Sequence, residues 1–291
     1  MVKTILITGA TDGIGKHLAK KLASEGHHVI LHGRNPQKLE LALQEVRAVF
    51  LRGRVSSYLA DFSKLDDVYR FVEEIKRDFQ SIDVLFNNAG LYAGKERKAS
   101  AKNVELTFML SVLVPYMLTT ELSPLLEKAP DGRVINTSSY MHHFAKVKDL
   151  DFGFENNYNP GLAYNNSKLY TIWMTRYLAR EFFLKGSNIT VNSCHPGLIS
   201  TNLGNDSSDE KTKKSLFGRL MKSFSKDLDE GIETGYYLTL SEEIRGLTGY
   251  YFDEKKVKSV SEKGYDFEKA QDLITYCENK IEMFKNKSTI S

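Results

Sequence analysis

The chain has 291 residues, 41% hydrophobic and 26% charged, the balance of a globular protein that buries a sizeable core. A formal net charge of +3 without a dense Lys/Arg block excludes an electrostatic platform for nucleic acid. Its two cysteines, Cys194 and Cys277, are far apart, which excludes a disulfide framework and a zinc ribbon and suits a reducing cytoplasm.

The first strand is expected at Thr4-Ile5-Leu6-Ile7, beginning by Lys3 and leaving no room before it for a signal peptide or membrane anchor. It runs into Thr8-Gly9-Ala10-Thr11-Asp12-Gly13-Ile14-Gly15 and then a helix from Ile14 to Ser24. Glycines between a first strand and a first helix let the backbone turn tightly against a pyrophosphate, whose charge then sits at the helix N-terminus. The second strand, His28 to Leu31, leads to Gly33-Arg34 and a proline-started helix from Pro36. An acidic residue after that strand would favour NAD. Gly33 instead is expected to leave space for a 2′-phosphate, and Arg34 to pair with it. NADP(H) is therefore the expected cofactor, with NAD(H) as the alternative.

Further strands are expected at Val55 to Leu59, Asp83 to Phe86, Arg133 to Asn136 and Asn188 to Ser193. Helices are expected at Leu65 to Phe79, Ala101 to Lys128 and Tyr164 to Leu184. This alternation predicts one α/β domain over residues 1–291, a doubly wound parallel sheet with helices on both faces. Asp61 follows the third strand, where its carboxylate can accept from an adenine amino group, with Phe62 beside it. Asn87-Asn88-Ala89-Gly90 follows the fourth, small enough for close passage of an adenosine ribose.

No apolar run approaches the ~20 residues of a membrane span, since Phe108 to Leu118 is interrupted by Ser111 and Pro115. A soluble, cytoplasmic protein is expected. Residues 204–226 turn from polar to basic and amphipathic, the pattern of a helical lid over a substrate, with a membrane-surface helix as the weaker alternative. His142-His143 lack a nearby carboxylate to complete a metal site, and adjacent histidines are expected to point apart. No metal ligand set is expected. His195 is assigned a structural or cofactor-side role and Trp173 a place in the core.

Ser138-Ser139 end the fifth strand, and Tyr164 and Lys168, four apart, share one face of the long helix. Hydride transfer to a carbonyl needs a proton donor for the developing alkoxide. A free tyrosine, with a pKa of about 10, is too weak an acid near neutrality. A neighbouring ammonium favours the phenolate and lowers that pKa, and Ser139 can hold the substrate oxygen.

Gly9-x-x-x-Gly13-x-Gly15, Asn87-Asn88-Ala89-Gly90, Ser139, Tyr164-x-x-x-Lys168 and Pro196-Gly197 together resemble the short-chain dehydrogenase/reductase family. Ala163 to Leu169, His195-Pro196-Gly197-x-x-x-Thr201 and Gly249-Tyr250-Tyr251-Phe252 are similar to its retinol dehydrogenase-like branch. The resemblance implies a Rossmann-type oxidoreductase in which Ser139 steadies the substrate oxygen, Tyr164 is acid/base and Lys168 its activator. It implies that Asn88 and Thr137 lie along the cofactor and that Ile199 and Thr201 meet the nicotinamide carboxamide. A homodimer or homotetramer through the helices from Ala101 and Tyr164 is also implied. Where the family has a water-holding asparagine in its proton relay, this chain has Ser111, a shorter side chain with one donor. The expected function is NADP(H)-dependent hydride exchange with an apolar carbonyl or alcohol. The alternative is an NADP(H)-binding regulator or scaffold with vestigial activity.

Overall fold

The computed structural model describes residues 1–49, 54–91, 94–100, 103–147, 151–156, 158–196, 228–261 and 267–288. The expected lid and three expected cofactor contacts, Gly197, Ile199 and Thr201, lie outside these residues. Strands β1 (Thr4–Ile7), β2 (His28–Gly33), β3 (Val55–Leu59), β4 (Val84–Asn87), β5 (Arg133–Thr137), β6 (Thr190–Cys194), β7 (Tyr251–Asp253) and β8 (Lys256–Val257) form one sheet in the order β3-β2-β1-β4-β5-β6-β7-β8. Pairing is parallel from β3 to β7, and β8 turns back antiparallel on β7. That last hairpin adds an antiparallel edge strand to the expected parallel sheet. A connection of Glu254 and Lys255, both at positive φ, is too short to cross over and return parallel.

The helices are α1 (Gly13–Ser24), α2 (Pro36–Ala48), α3 (Leu65–Asp78), α4 (Leu106–Leu126), α5 (Pro160–Leu184), α6 (Leu228–Leu240) and α7 (Phe267–Ser288). One core lies on the face carrying α3, α4, α5 and α7, and a second lies between the sheet and α1, α2 and α6. The central strands β1 and β4 are apolar because both of their faces are covered. Ile5, Leu6, Ile7, Val84 and Leu85 are fully buried.

Two helix starts differ from expectation. α4 begins at Leu106, because the Glu105 carboxylate accepts the Phe108 N–H at 2.8 Å and caps the helix there. α5 begins at Pro160, with Asn159 Oδ1 accepting the Leu162 N–H at 2.9 Å, so Tyr164 stands in the second turn. α4 is long and apolar enough to cross a membrane by length and composition, contrary to the interrupted run expected, and 72% of its most apolar window is buried inside the protein. Neither Ser111 nor Pro115 interrupts it. Its Met109–Leu113 segment is a π-helical turn, and Pro115 sits in the first turn of the α-helical stretch that follows.

The C-terminal helix α7 was not anticipated. It lies across α5, α4 and α3: Phe267 stacks on Tyr177, Tyr276 meets Phe108 edge-on, Tyr116 donates to Glu278 at 2.8 Å, and Phe284 stacks on Tyr69. The chain's own C-terminal helix thus packs on part of the two helices expected to offer a face for self-association. Trp173 is fully buried in this core, as expected.

Candidate active site

Parallel strands deliver all their carboxyl ends to one edge, and the connections diverge between β1 and β4, where α/β sheets open a crevice. A cavity of about 470 Å³ lies there. Its lining includes the expected Gly9, Thr11, Asp12, Gly13, Ile14, Gly15, Arg34, Asp61, Phe62, Asn88, Ala89 and Gly90. His32, Asn35, Lys38, Leu91 and Leu110 line it too and were not foreseen. Lys38 was within reach of sequence reasoning. Asn35 caps α2 by accepting the Lys38 N–H at 2.9 Å, which sets Lys38 in the first turn beside Arg34. His32 carried no comparable signal, since a histidine at a strand end is a common surface residue.

The glycine turn is interlocked with the end of β4. Gly9 has φ +65°, and a side chain there would stand 2.9 Å from the Ala89 α-carbon. Thr8 Oγ1 accepts the N–H groups of Asn88 and Ala89, both at 2.9 Å. The Asn88 amide donates back to the carbonyls of Thr8 and Gly9 at 2.9 and 3.2 Å. Asn88 therefore lines the cavity while its amide group holds the turn. Asp12 has a similar double position, since its carboxylate accepts the Gly13 N–H at 2.8 Å and caps α1. Asn87 and Asn136 tie β4 to β5 at 2.9 Å, and Asn136 reaches Thr175 on α5 at 3.0 Å.

Gly33 corrects an expectation. The space a side chain would take there is filled by the Thr11 methyl group, which a Cβ would approach to 2.2 Å. The glycine lets Thr11 of the glycine turn pack against β2 and does not hold open a slot for a 2′-phosphate. Arg34 and Lys38 remain exposed cationic side chains on the same wall.

Lys168, Tyr164 and Ser139 are not among the residues lining this cavity, and Lys168 stands behind its wall at Gly90. It is buried, donates to the Thr137 carbonyl at 3.1 Å, and lies 5.4 Å from the centre of the half-buried Tyr164 ring. A Cβ on Gly90 would be 3.8 Å from its Nζ, which joins the lysine to the cavity wall. Burial lowers the Lys168 pKa to about 8, because removing an ammonium from water disfavours its charge. Ser138 Oγ donates to the Lys168 carbonyl at 2.7 Å and ties the end of β5 to α5. Ser139 Oγ accepts the Met141 N–H at 3.2 Å, leaving its own O–H to donate outward. Thr137 Oγ1 is buried without a hydrogen-bond partner among the described residues.

Ser111 sits in the π-helical turn of α4, buried, with no partner for its hydroxyl among the described residues. Its carbonyl accepts from Thr171 Oγ1 on α5 at 3.0 Å. Pro196 is half-buried two residues beyond β6. His142 and His143 do not point apart as expected. The 3₁₀ turn Tyr140–Phe144 brings their ring centres to 4.0 Å, and the His142 ring packs edge-on against Tyr251.

A glycine turn at a helix N-terminus beside a buried lysine–tyrosine pair defines a dinucleotide-binding oxidoreductase of Rossmann type. The model of the short chain dehydrogenase family matches residues 3–212, so the chain belongs to that family. It lies in the retinol dehydrogenase-like branch. It is 32% identical to Retinol dehydrogenase 14 of Mus musculus over 281 residues, 93% of this chain and 83% of that one. It is 33% identical to Retinol dehydrogenase 11 of Mus musculus over 262 residues, covering 90% and 81%. Among solved structures, an uncharacterized protein from Mycobacterium paratuberculosis superposes with a TM-score of 0.76 at 26% identity, covering 96% of this chain and 93% of that one. A protein from Escherichia coli CFT073 complexed with NADPH gives 0.65 at 25% identity, covering 87% and 97%.

Proposed function

We propose that this oxidoreductase prefers NADP(H) and exchanges a hydride with the carbonyl or alcohol carbon of a mostly apolar small molecule. The observation that carries the reading is the junction at Gly90. There the wall of the dinucleotide-sized cavity meets the Lys168 ammonium, with Tyr164 one helical turn away. The residues fit the cofactor: the Gly9–Gly15 turn and the N-terminus of α1 suit a pyrophosphate, and Asp61 and Phe62 suit an adenine. Arg34 and Lys38 suit a 2′-phosphate. NADP(H), when bound, supplies or takes up the hydride.

The chain's own groups handle the proton. Tyr164 OH donates to the substrate oxygen as it gains charge, or accepts in the reverse direction. Lys168, held by Thr137 O, stabilises the phenolate, and the Ser139 hydroxyl holds the substrate oxygen in reach of Tyr164. The same chemistry operates in the cytoplasm, which suits two buried free thiols.

The test is NADPH oxidation against aliphatic, aromatic and polyene aldehydes and ketones, with NADH and Tyr164→Phe in parallel. Turnover with NADPH that is weak with NADH and absent in the variant is the expected result. Full turnover in Tyr164→Phe overturns the acid/base assignment. The Ser111 hydroxyl, without a partner among the described residues where the family has asparagine, favours a second reading: an NADP(H)-binding regulator with vestigial activity. That reading expects NADPH binding without turnover of any substrate in the panel.

A further inference from the structure

We infer that His32 is a positioning residue for the dinucleotide, its imidazole locking the phosphate turn to the adenine side of the cavity. The inference rests on the dinucleotide reading above. His32 is the penultimate residue of β2, is 3% exposed, and reaches the residues that follow two neighbouring strands. Its Nδ1 accepts the Gly9 N–H at 3.1 Å, and its Nε2–H donates to the Ala60 carbonyl at 3.0 Å. Its own carbonyl accepts the Ala10 N–H at 2.9 Å, so two consecutive peptides of the turn are held by one residue.

The ring is also fixed in its plane. It stacks on Phe62 with centres 3.7 Å apart and planes 9° from parallel, and it meets Phe71 edge-on at 5.2 Å. Phe62 lines the cavity directly after Asp61. One imidazole thus links the glycine turn after β1 to the residues after β3. Holding the turn depends on the acceptor that faces Gly9, while the donor facing Ala60 and the flat ring between them fix the side chain in the fold; the neutral imidazole supplies all three. The donor–acceptor pattern fixes the tautomer, because a protonated ring has no lone pair for Gly9. Burial keeps the ring neutral by lowering its pKa to about 4. Gly9 has little freedom to adapt, wedged at φ +65° against Ala89.

Two variants separate positioning from bulk stability. His32→Phe keeps the ring and its stacking but leaves the Gly9 N–H and the Ala60 carbonyl unpaired. His32→Asn retains an acceptor near the Nδ1 position and gives up the stacking. NADPH Kd from nucleotide fluorescence, kcat at saturating NADPH, thermal midpoint and far-UV circular dichroism are measured for each. The loss of one hydrogen bond at the turn predicts an NADPH Kd about tenfold weaker in His32→Phe, with kcat within about threefold of wild type. His32→Asn is expected to bind NADPH within about threefold of wild type, even though its thermal midpoint falls. Wild-type affinity in His32→Phe, or equally weak binding in both folded variants, overturns the inference alone. Wild-type protein that binds neither NADPH nor NADH overturns the dinucleotide reading and this inference with it.

Discussion

The Lys168 ammonium donates to the Thr137 carbonyl oxygen at 3.1 Å, and this contact holds a buried charge between the end of β5 and the cavity. The protein keeps that charge at a cost to its stability. Lys168 has a pKa near 8 in the folded state against 10.5 ordinarily, so below pH 8 the fold carries an ammonium it would bind less readily than the unfolded chain does. Lys168→Met should therefore stabilise the protein at pH 7, by about 1–3 kcal/mol, while turnover falls by about two orders of magnitude or more. The gain should shrink as pH rises through 8 to 10.5, where the wild-type lysine sheds its proton. Urea unfolding at pH 7 and 9.5 measures it, and a variant less stable than wild type at pH 7 would refute the argument.

Two buried histidines set an acid limit on stability. Burial lowers His32 and His142 from 6.5 to about 4. Between those values the unfolded chain binds more protons, so stability is complete above pH 6.5 and is lost as pH falls toward 4. Each histidine adds a slope of up to about 1.4 kcal/mol per pH unit within that window. Denaturant unfolding at half-unit steps from pH 7.5 to 4.5 should show the decline, and a flat profile down to pH 5 would contradict it.

Gly33 and Thr11 should behave as a coupled pair. A β-carbon at position 33 would come within 2.2 Å of the Thr11 methyl group and push the phosphate turn out of place. Gly33→Ala is expected to weaken NADPH binding about tenfold, and Thr11→Ser, which removes the methyl, to recover most of the loss in the double variant. Simple additivity of the two changes would show that the contact does not govern the turn.

Arg34→Ala should raise the KM for NADPH about tenfold to a hundredfold, the range for losing a charge-assisted bond to phosphate, and leave the KM for NADH nearly unchanged. Lys38→Ala should act in the same direction, since both side chains line the cavity from α2 and the residues before it. Equal effects on the two cofactors would remove the basis for an NADP(H) preference.

The Ser111 hydroxyl is buried without a partner among the described residues, in a π-helical turn anchored to α5 through Thr171. The family resemblance puts Ser111 where a water-holding asparagine stands in the proton relay, and a hydroxyl can bind such a water. Ser111→Ala should lower kcat about tenfold, near the bottom of what one proton-transfer group contributes, with no fall in the thermal midpoint. An unchanged kcat would remove Ser111 from the reaction.

The α/β alternation, the glycine turn and the tyrosine–lysine pair were legible in the residues because each is governed by local spacing. Short apolar runs make doubly covered strands, glycine permits the φ of +65° at Gly9, and a spacing of four puts Tyr164 and Lys168 on one helical face. The serine at the end of β5 was legible for the same reason. What required the tertiary structure depends on groups distant in sequence. His32 is a surface-looking histidine until Gly9 and Ala60 flank it from two other strand ends. Gly33 reads as an empty slot until the Thr11 methyl fills it, and α7 has no visible role until it closes over α3, α4 and α5. Sequence by itself determined most elements through β6 and the candidate site side chains, since backbone sterics and periodicity act over a few residues. The folded chain alone decided which neighbours hold them, because hydrogen bonds and packing join residues that only the sheet order brings together.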